Sequence, residues 1–213
     1  MDKGFEQAGF QRVWANDFDK DAQAVFRLNF GEIDGRDIRE VPVDEIPACD
    51  ILTAGFPCQP FSNAGNRRGV YDSRGELYLE CLRIIERKLP KAVLFENVKG
   101  LISSKHQSGQ YLIEVIKGDL EKLGYAVNYR VVNASDYGVP QNRERLILVA
   151  FRNDLGKRFE FPPVQLNKEN LTLRHILDIL RVKIPNMTVK KIREYLEHVD
   201  EAQCCRVGES AQL

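Results

Sequence analysis

Cys58 stands between Pro57 and Pro60 in GFPCQPFS, directly after the apolar run CDILTAG at 49–55. Two prolines stiffen the loop on either side of the thiol, so the cysteine sits past a buried strand rather than inside a core. A thiolate held there is a nucleophile if nearby positive charge lowers its pKa, and Arg67, Arg68 and the QNRER run at 141–145 offer such charge. The competing reading is a small buried hydrophobe. The three histidines, His106, His175 and His198, have no context for a Cys–His pair, which predicts a nucleophile that works without one. Glu96 ends the apolar run KAVLFEN and is costly to bury unless paired or protonated. It reads as an acid that grips or protonates a substrate beside the thiol, with Asn97 to orient it, or else as a solvated strand end.

Two further segments carry the same kind of ambiguity. Asp17 closes FQRVWAND, where a carboxylate at a strand end accepts hydrogen bonds from ribose hydroxyls and Phe18 offers a ring to stack on adenine. An aspartate before a helix is also an ordinary N-cap, and Asp37 in GRDIREV shares that doubt. Arg143 and Arg145 in YGVPQNRERLILVA alternate at the mouth of a strand and are expected on one face. They read either as a surface pair with Glu144 or as contacts to an anionic backbone or a reacting base.

Positioning these groups requires an alternation of strands and helices. FQRVWAND reads as a short strand, and DKDAQAVFRLNF (19–30) as a helix with Ala22, Val25, Phe26 and Phe30 on one face. CDILTAG is a strand, ELYLECLRIIERKL (76–89) a helix closed by Pro90, and KAVLFEN a strand. YLIEVIKGDLEKLG is a helix with glycine at its end, followed by strands in YAVNYRVVNA and RLILVAFR. That alternation predicts an α/β fold, a doubly wound, mostly parallel sheet. Asp17, Cys58 and Glu96 all follow strands, so they are expected to share the rim where such sheets bind ligands. Beyond FEFPPVQ (159–165) the pattern becomes helical and then loose, which predicts a domain at 1–165 and a helical C-terminal segment at 166–213.

Composition narrows the class. The 213 residues suit one domain with an appended segment. Formal net charge is zero, so no global basic field announces nucleic acid, although one basic groove remains compatible with it. No long apolar stretch and no signal-peptide pattern is seen, which predicts no membrane span and a reducing cytoplasmic location. The five cysteines form no CxxC pair, which argues against a zinc site or a redox dithiol.

GFPCQPFS, FENVKG and QNRERL, in that order, resemble the nucleophile, glutamate and arginine motifs of the cytosine-C5 DNA methyltransferases, in particular the bacterial restriction-modification type. ANDFDKDA and GRDIREV resemble the family's two cofactor-binding segments, and the likeness spans about residues 4–165. It implies a Rossmann-like fold that transfers a methyl group from S-adenosylmethionine to C5 of a cytosine flipped out of double-stranded DNA, leaving S-adenosylhomocysteine. By that likeness Cys58 adds to C6, Glu96 holds or protonates N3, and Arg143 and Arg145 orient the ring and stabilise its charge. Asp17 would bind the cofactor's ribose, Phe18 its adenine, and Asp37 with Ile38 the adenine edge, with Phe56, Pro57 and Leu77 completing the pocket. Gln59, Ser62, Asn97, Val98 and Gln141 would face the DNA, with the glycine-bearing stretch at 64–75 closing over the base.

The family's first strand and glycine-rich turn are not matched, because MDKGFEQAGF resembles only the helix after them. No target-recognition region, late Arg-and-Glu motif or closing Gly-Asn motif is recognisable either. The resemblance therefore implies a sheet lacking its first strand, in a truncated enzyme or one part of a split enzyme completed by a second polypeptide. The alternative is a catalytically inactive or partner-dependent DNA-binding or regulatory subunit, and an unrelated thiol enzyme on a doubly wound sheet is the third reading.

Overall fold

The computed structural model describes residues 1–57, 76–105, 109–139 and 141–164. The chain divides into two compact units, one made of Met1–Val132 with Glu144–Pro163, the other containing Asn133–Arg143. The described helices are α1 (Asp2–Gln7), α2 (Lys20–Phe30), α3 (Glu76–Lys88) and α4 (Leu112–Lys122). The described strands are β1 (Ile51–Ala54), β2 (Ala92–Val98), β3 (Tyr125–Asn133) and β4 (Glu144–Arg152), in the order β1-β2-β4-β3.

The expected α/β class is realised, with a mixed sheet. β1 and β2 pair in parallel, Ile51 to Ala92 through Ala54 to Phe95. β4 runs antiparallel to β2, from Val98 opposite Arg145 to Ala92 opposite Phe151. The Asn153 N–H donates to the Gly124 carbonyl at 2.9 Å, so the start of β3 meets the end of β4 and that pair is antiparallel too.

Alternation along β2 buries Val93, Phe95 and Asn97 on one side. Val93 and Phe95, with Leu146, Leu148 and Ala150 of β4, form one apolar face against Tyr78 and Ile85 of α3 and Leu112, Ile113, Ile116 and Leu120 of α4. The core continues under Val41, Ile46 and Ile84, with Leu52 of β1 packed against them. Removing any of these large aliphatic side chains to alanine costs about 2–5 kcal/mol. Tyr125 is buried with its hydroxyl donating to the Pro90 carbonyl at 2.7 Å, which fixes the start of β3 beside the exit from α3. The opposite face of the sheet carries Glu96 and Val98 of β2 and Arg145 of β4.

Two local expectations are corrected. FQRVWAND is not a strand: only Asn16 makes a parallel bridge, to Asp34. The Asn16 side chain donates to the Asp34 and Arg36 carbonyls at 3.1 and 2.8 Å, so an amide side chain does what a ladder would do. In α2 the inward face is turned by about one residue: Gln23 is buried, Phe26 and Phe30 are half-buried, and Ala22 and Val25 are exposed. Arg12 lies against that face, its guanidinium over Phe26 and Phe30 at 4.9 and 5.9 Å and bonded to the Phe30 carbonyl. The helices expected beyond residue 165 lie outside the described residues.

Candidate active site

Register sets the centre of the site. On the β2–β4 ladder Arg145 stands opposite Val98, so its side chain shares a face with Glu96 two residues back and reaches it on the diagonal. Arg145 Nε lies 2.9 Å from Glu96 Oε1, with both side chains about a quarter to a third exposed. The bland reading of Arg145, a pair with Glu144, is not what forms. The Glu144 carboxylate binds Lys99 at 2.9 Å, and Arg145 meets Glu144 only at its backbone carbonyl, at 2.8 Å.

β1 ends at Ala54, and Gly55 continues alongside Glu96. A Cβ at Gly55 would lie 3.5 Å from Glu96 Oε2 and 3.8 Å from Met1 Cε, so a larger residue would fill the space in front of the carboxylate. The next residue, Phe56, is anchored twice. Its ring packs against Phe95 and Tyr78 at 5.2 and 5.7 Å between centroids, and its carbonyl accepts from Asn97 Nδ2 at 2.8 Å. Asn97 is 6% exposed and its Oδ1 accepts the Val98 N–H at 2.9 Å, so the side chain is satisfied at both ends. The chain leading to Cys58 is thereby fastened to the strand that carries Glu96.

Cys58, Gln59, Ser62 and the 64–75 stretch lie outside the described residues, as do all three histidines. Burial pushes the Cys81 thiol up to about 12 and also raises Cys49, so neither is a thiolate at neutral pH. Among the described residues no group of His, Cys, Asp and Glu is arranged to hold a metal, and no helix is long and apolar enough to cross a membrane.

Arg143 does not share a strand face with Arg145. It precedes β4 and belongs to the second unit, where its N–H donates to Asn133 Oδ1 at 3.0 Å and its carbonyl accepts from Ala134 at 3.0 Å. Gln141 is exposed in the same segment. Closing that loop onto Asn133 takes Arg143 out of the period-two alternation that the sequence suggested.

The second group of carboxylates gathers around residues 15–38. Asp17 N–H donates to the Asp34 carbonyl at 3.1 Å, while Asp17 Oδ1 accepts the Asp19 N–H at 3.0 Å. The N-cap of α2 is Asp19, which accepts from Asp21 and Ala22 at 2.9 and 2.8 Å, so the capping role considered for Asp17 belongs to its neighbour. Phe18 is 61% exposed, its ring presented to solvent. Asp37 is clasped by Arg39, whose Nε lies 2.9 and 3.1 Å from the two carboxylate oxygens. That guanidinium, followed by the Arg39 backbone N–H, holds the Asp37 carboxyl below the usual range. Ile38 and Val41 offer their carbonyls to Arg83 of α3 at 3.0 and 3.1 Å, joining this loop to the helix on which half-buried Leu77 sits.

Sequence patterns did not single out Gly55, Arg39 or Gln23. Gln23 had one readable signal, a glutamine four residues before an arginine on the face that also carries Phe26 and Phe30.

A model of the family described as C-5 cytosine-specific DNA methylase matches residues 1–204. The chain is 47% identical over 164 residues to the Type II methyltransferase M.HhaI of Haemophilus parahaemolyticus, covering 76% of this chain and 49% of that protein. It is 42% identical over 184 residues to the Type II methyltransferase M.Bsp6I of Bacillus sp. (strain RFL6), covering 84% and 57%. Among solved structures it is similar to the Dnmt2 methyltransferase of S. pombe, with a TM-score of 0.63 and 26% identity over 76% of this chain and 49% of the other. The chain spans about half the length of the curated relatives it matches. Its Glu96–Arg145 pair, its fastened approach to Cys58 and the match over residues 1–204 agree: the chain belongs to the C-5 cytosine-specific DNA methylase family.

Proposed function

We propose that this chain carries the catalytic centre of a DNA cytosine-5 methyltransferase, with Cys58 as nucleophile, Glu96 as the group on N3 and Arg145 as the orienting cation. The observation that carries the reading is the Glu96–Arg145 pair at 2.9 Å, beside the Gly55–Pro57 segment that leads directly into Cys58. Cytosine resists attack at C5 because its ring is electron-poor. When the Cys58 sulfur bonds to C6, the C5–C6 π electrons move toward C5 and the N3–O2 side. A proton shared between Glu96 and N3 neutralises that charge, and Arg145 holds the carboxylate in place while donating toward the ring. Once C5 is methylated its proton passes to a solvent water. The electrons of that C–H bond re-form the C5–C6 double bond as the C6–sulfur bond breaks to release the Cys58 thiolate, and the N3 proton returns to Glu96. C6 is unreachable in a stacked duplex, so the base enters flipped out.

S-adenosylmethionine supplies the electrophilic methyl group in this chemistry. The residues around 15–38 fit it. Asp17 spends one carboxylate oxygen on the Asp19 N–H, and a carboxylate has a second for a ribose hydroxyl. The exposed Phe18 ring suits adenine. Asp37, kept ionised by Arg39, suits an exocyclic amine, and in this reading Ile38, Phe56, Pro57 and Leu77 supply the apolar walls of the pocket. Arg143, Gln141, Gln59, Ser62 and Val98 take the DNA side in this reading, whereas Asn97, expected there from the sequence, is buried on the core side and acts through the Phe56 carbonyl. Turnover belongs to the assembled protein, whether the remaining parts come from the same chain or from a second polypeptide.

The test uses DNA in which cytosine is replaced by 5-fluorocytosine, where the final proton loss is blocked. Incubation with S-adenosylmethionine is expected to give a covalent protein–DNA species that survives denaturation and is lost in Cys58→Ala. DNA binding with no covalent species in the unsubstituted, assembled protein overturns the catalytic reading in favour of a binding subunit.

A further inference from the structure

Two polar side chains are buried among the described residues, Asn97 at 6% and Gln23 at 7% exposure. Asn97 fastens the approach to Cys58. Gln23 is a comparable fastening at the other group of acids, and nothing in the proposed chemistry uses it. Its Nε2 donates to the Asp17 carbonyl at 2.9 Å and to the Gly35 carbonyl at 3.4 Å, and its Oε1 accepts from Arg27 Nη2 at 3.2 Å. An amide NH2 has two hydrogens, enough for both carbonyls, and an oxygen for the guanidinium. Glutamate would aim lone pairs at the same carbonyls, and methionine would leave them unbonded.

Gly35 is pressed against this amide. A Cβ there would lie 2.6 Å from Gln23 Oε1, 2.8 Å from Nε2 and 2.9 Å from Cδ, distances that no real side chain tolerates without displacing the amide. The two segments that meet on Gln23 are those carrying Asp17 with Phe18 and Asp37 with Ile38. Their direct backbone tie is one bridge, Asp17 N–H to the Asp34 carbonyl at 3.1 Å and Asp34 N–H to the Ala15 carbonyl at 2.9 Å. The Asn16 side chain reinforces that bridge at the Asp34 and Arg36 carbonyls, and Gln23, reaching in from α2, adds the attachment that ties the Asp17 carbonyl to the Gly35 carbonyl.

We infer that Gln23 is a positioning residue for the S-adenosylmethionine site: its buried amide, with the space left by Gly35, sets the separation of Asp17 from Asp37. This rests on the cofactor reading given above for those two acids. Gln23 touches neither ligand nor reacting atoms and acts only through the backbone of Asp17 and Gly35.

The test is calorimetric titration of the full chain with S-adenosylhomocysteine, for the unsubstituted protein, Gln23→Met and Gly35→Ala, each with and without Asp17→Ala. Either single substitution is expected to weaken binding about tenfold, the loss of roughly one hydrogen bond's worth of placement. In either background Asp17→Ala is expected to cost clearly less than in the unsubstituted protein, because a displaced Asp17 has less to lose; a merely structural role would leave the two effects additive. Gly35→Ala keeps the buried glutamine, so it carries the test if Gln23→Met does not fold. Binding within twofold of the unsubstituted protein in both variants, or strict additivity with Asp17→Ala, overturns the inference alone. Absence of binding by the folded, unsubstituted protein overturns the cofactor reading and the inference together.

Discussion

Glu96 and Arg145 largely cancel each other's charge at 2.9 Å, so the centre of the site offers little net attraction to a phosphate and suits an uncharged ring. At the same scale, Asp37 owes its low pKa to Arg39. A depressed carboxyl favours the ionised form, so what it contributes is present above the ordinary aspartate value of about 4 and is lost as pH falls through the lowered one. Arg39→Ala is expected to move the Asp37 carboxyl up toward that ordinary value. Carbon-detected NMR titration of the side chain reads this directly, and S-adenosylhomocysteine affinity is expected to begin falling at higher pH in the variant. An unchanged Asp37 midpoint would refute the assignment of the clasp.

The elements show why parts of this site were legible in the sequence and others were not. Glu96 at the end of an apolar run and Arg145 at the mouth of another stood out as charged groups at strand ends, and both strands formed as read. That they pair with each other depends on β4 running antiparallel beside β2, a topological fact with no local signature. FQRVWAND carries strand-like residues, but Asn16 and Gln23 satisfy the carbonyls around it with side chains, and no pattern of hydropathy announces that. The inward face of α2 includes Arg12 reaching across to two phenylalanines, a contact distant in sequence. Asn97 tests the coupling of elements. Asn97→Ala leaves the Phe56 carbonyl and Val98 N–H without their partner, at a cost of about 1–3 kcal/mol. Thermal unfolding should register that loss as a lower Tm, and a variant as stable as the parent would mean the fastening of Phe56 is ornamental.

At the level of the whole molecule, α2 is anchored from one side and bare on the other, with Leu28 86% and Val25 58% exposed. Leu28 supports nothing in the described core, so Leu28→Lys is expected to change stability by no more than about 0.5 kcal/mol in chemical unfolding. A larger loss would show that the leucine is covered in solution. The sheet's wiring has a consequence of a different kind, for heredity. The residues joining β3 to β4, 134–143, lie outside the ladder that fixes Glu96 against Arg145. Codons gained or lost in that connection leave every β2–β4 partner where it was. A single codon gained between 146 and 152, with the rest of the strand held in register, would turn Arg145 toward the apolar side and expose Leu146 in its place. Gene variants that differ in length are therefore expected in the connection ahead of Gln141 and Arg143, and purged from the strand.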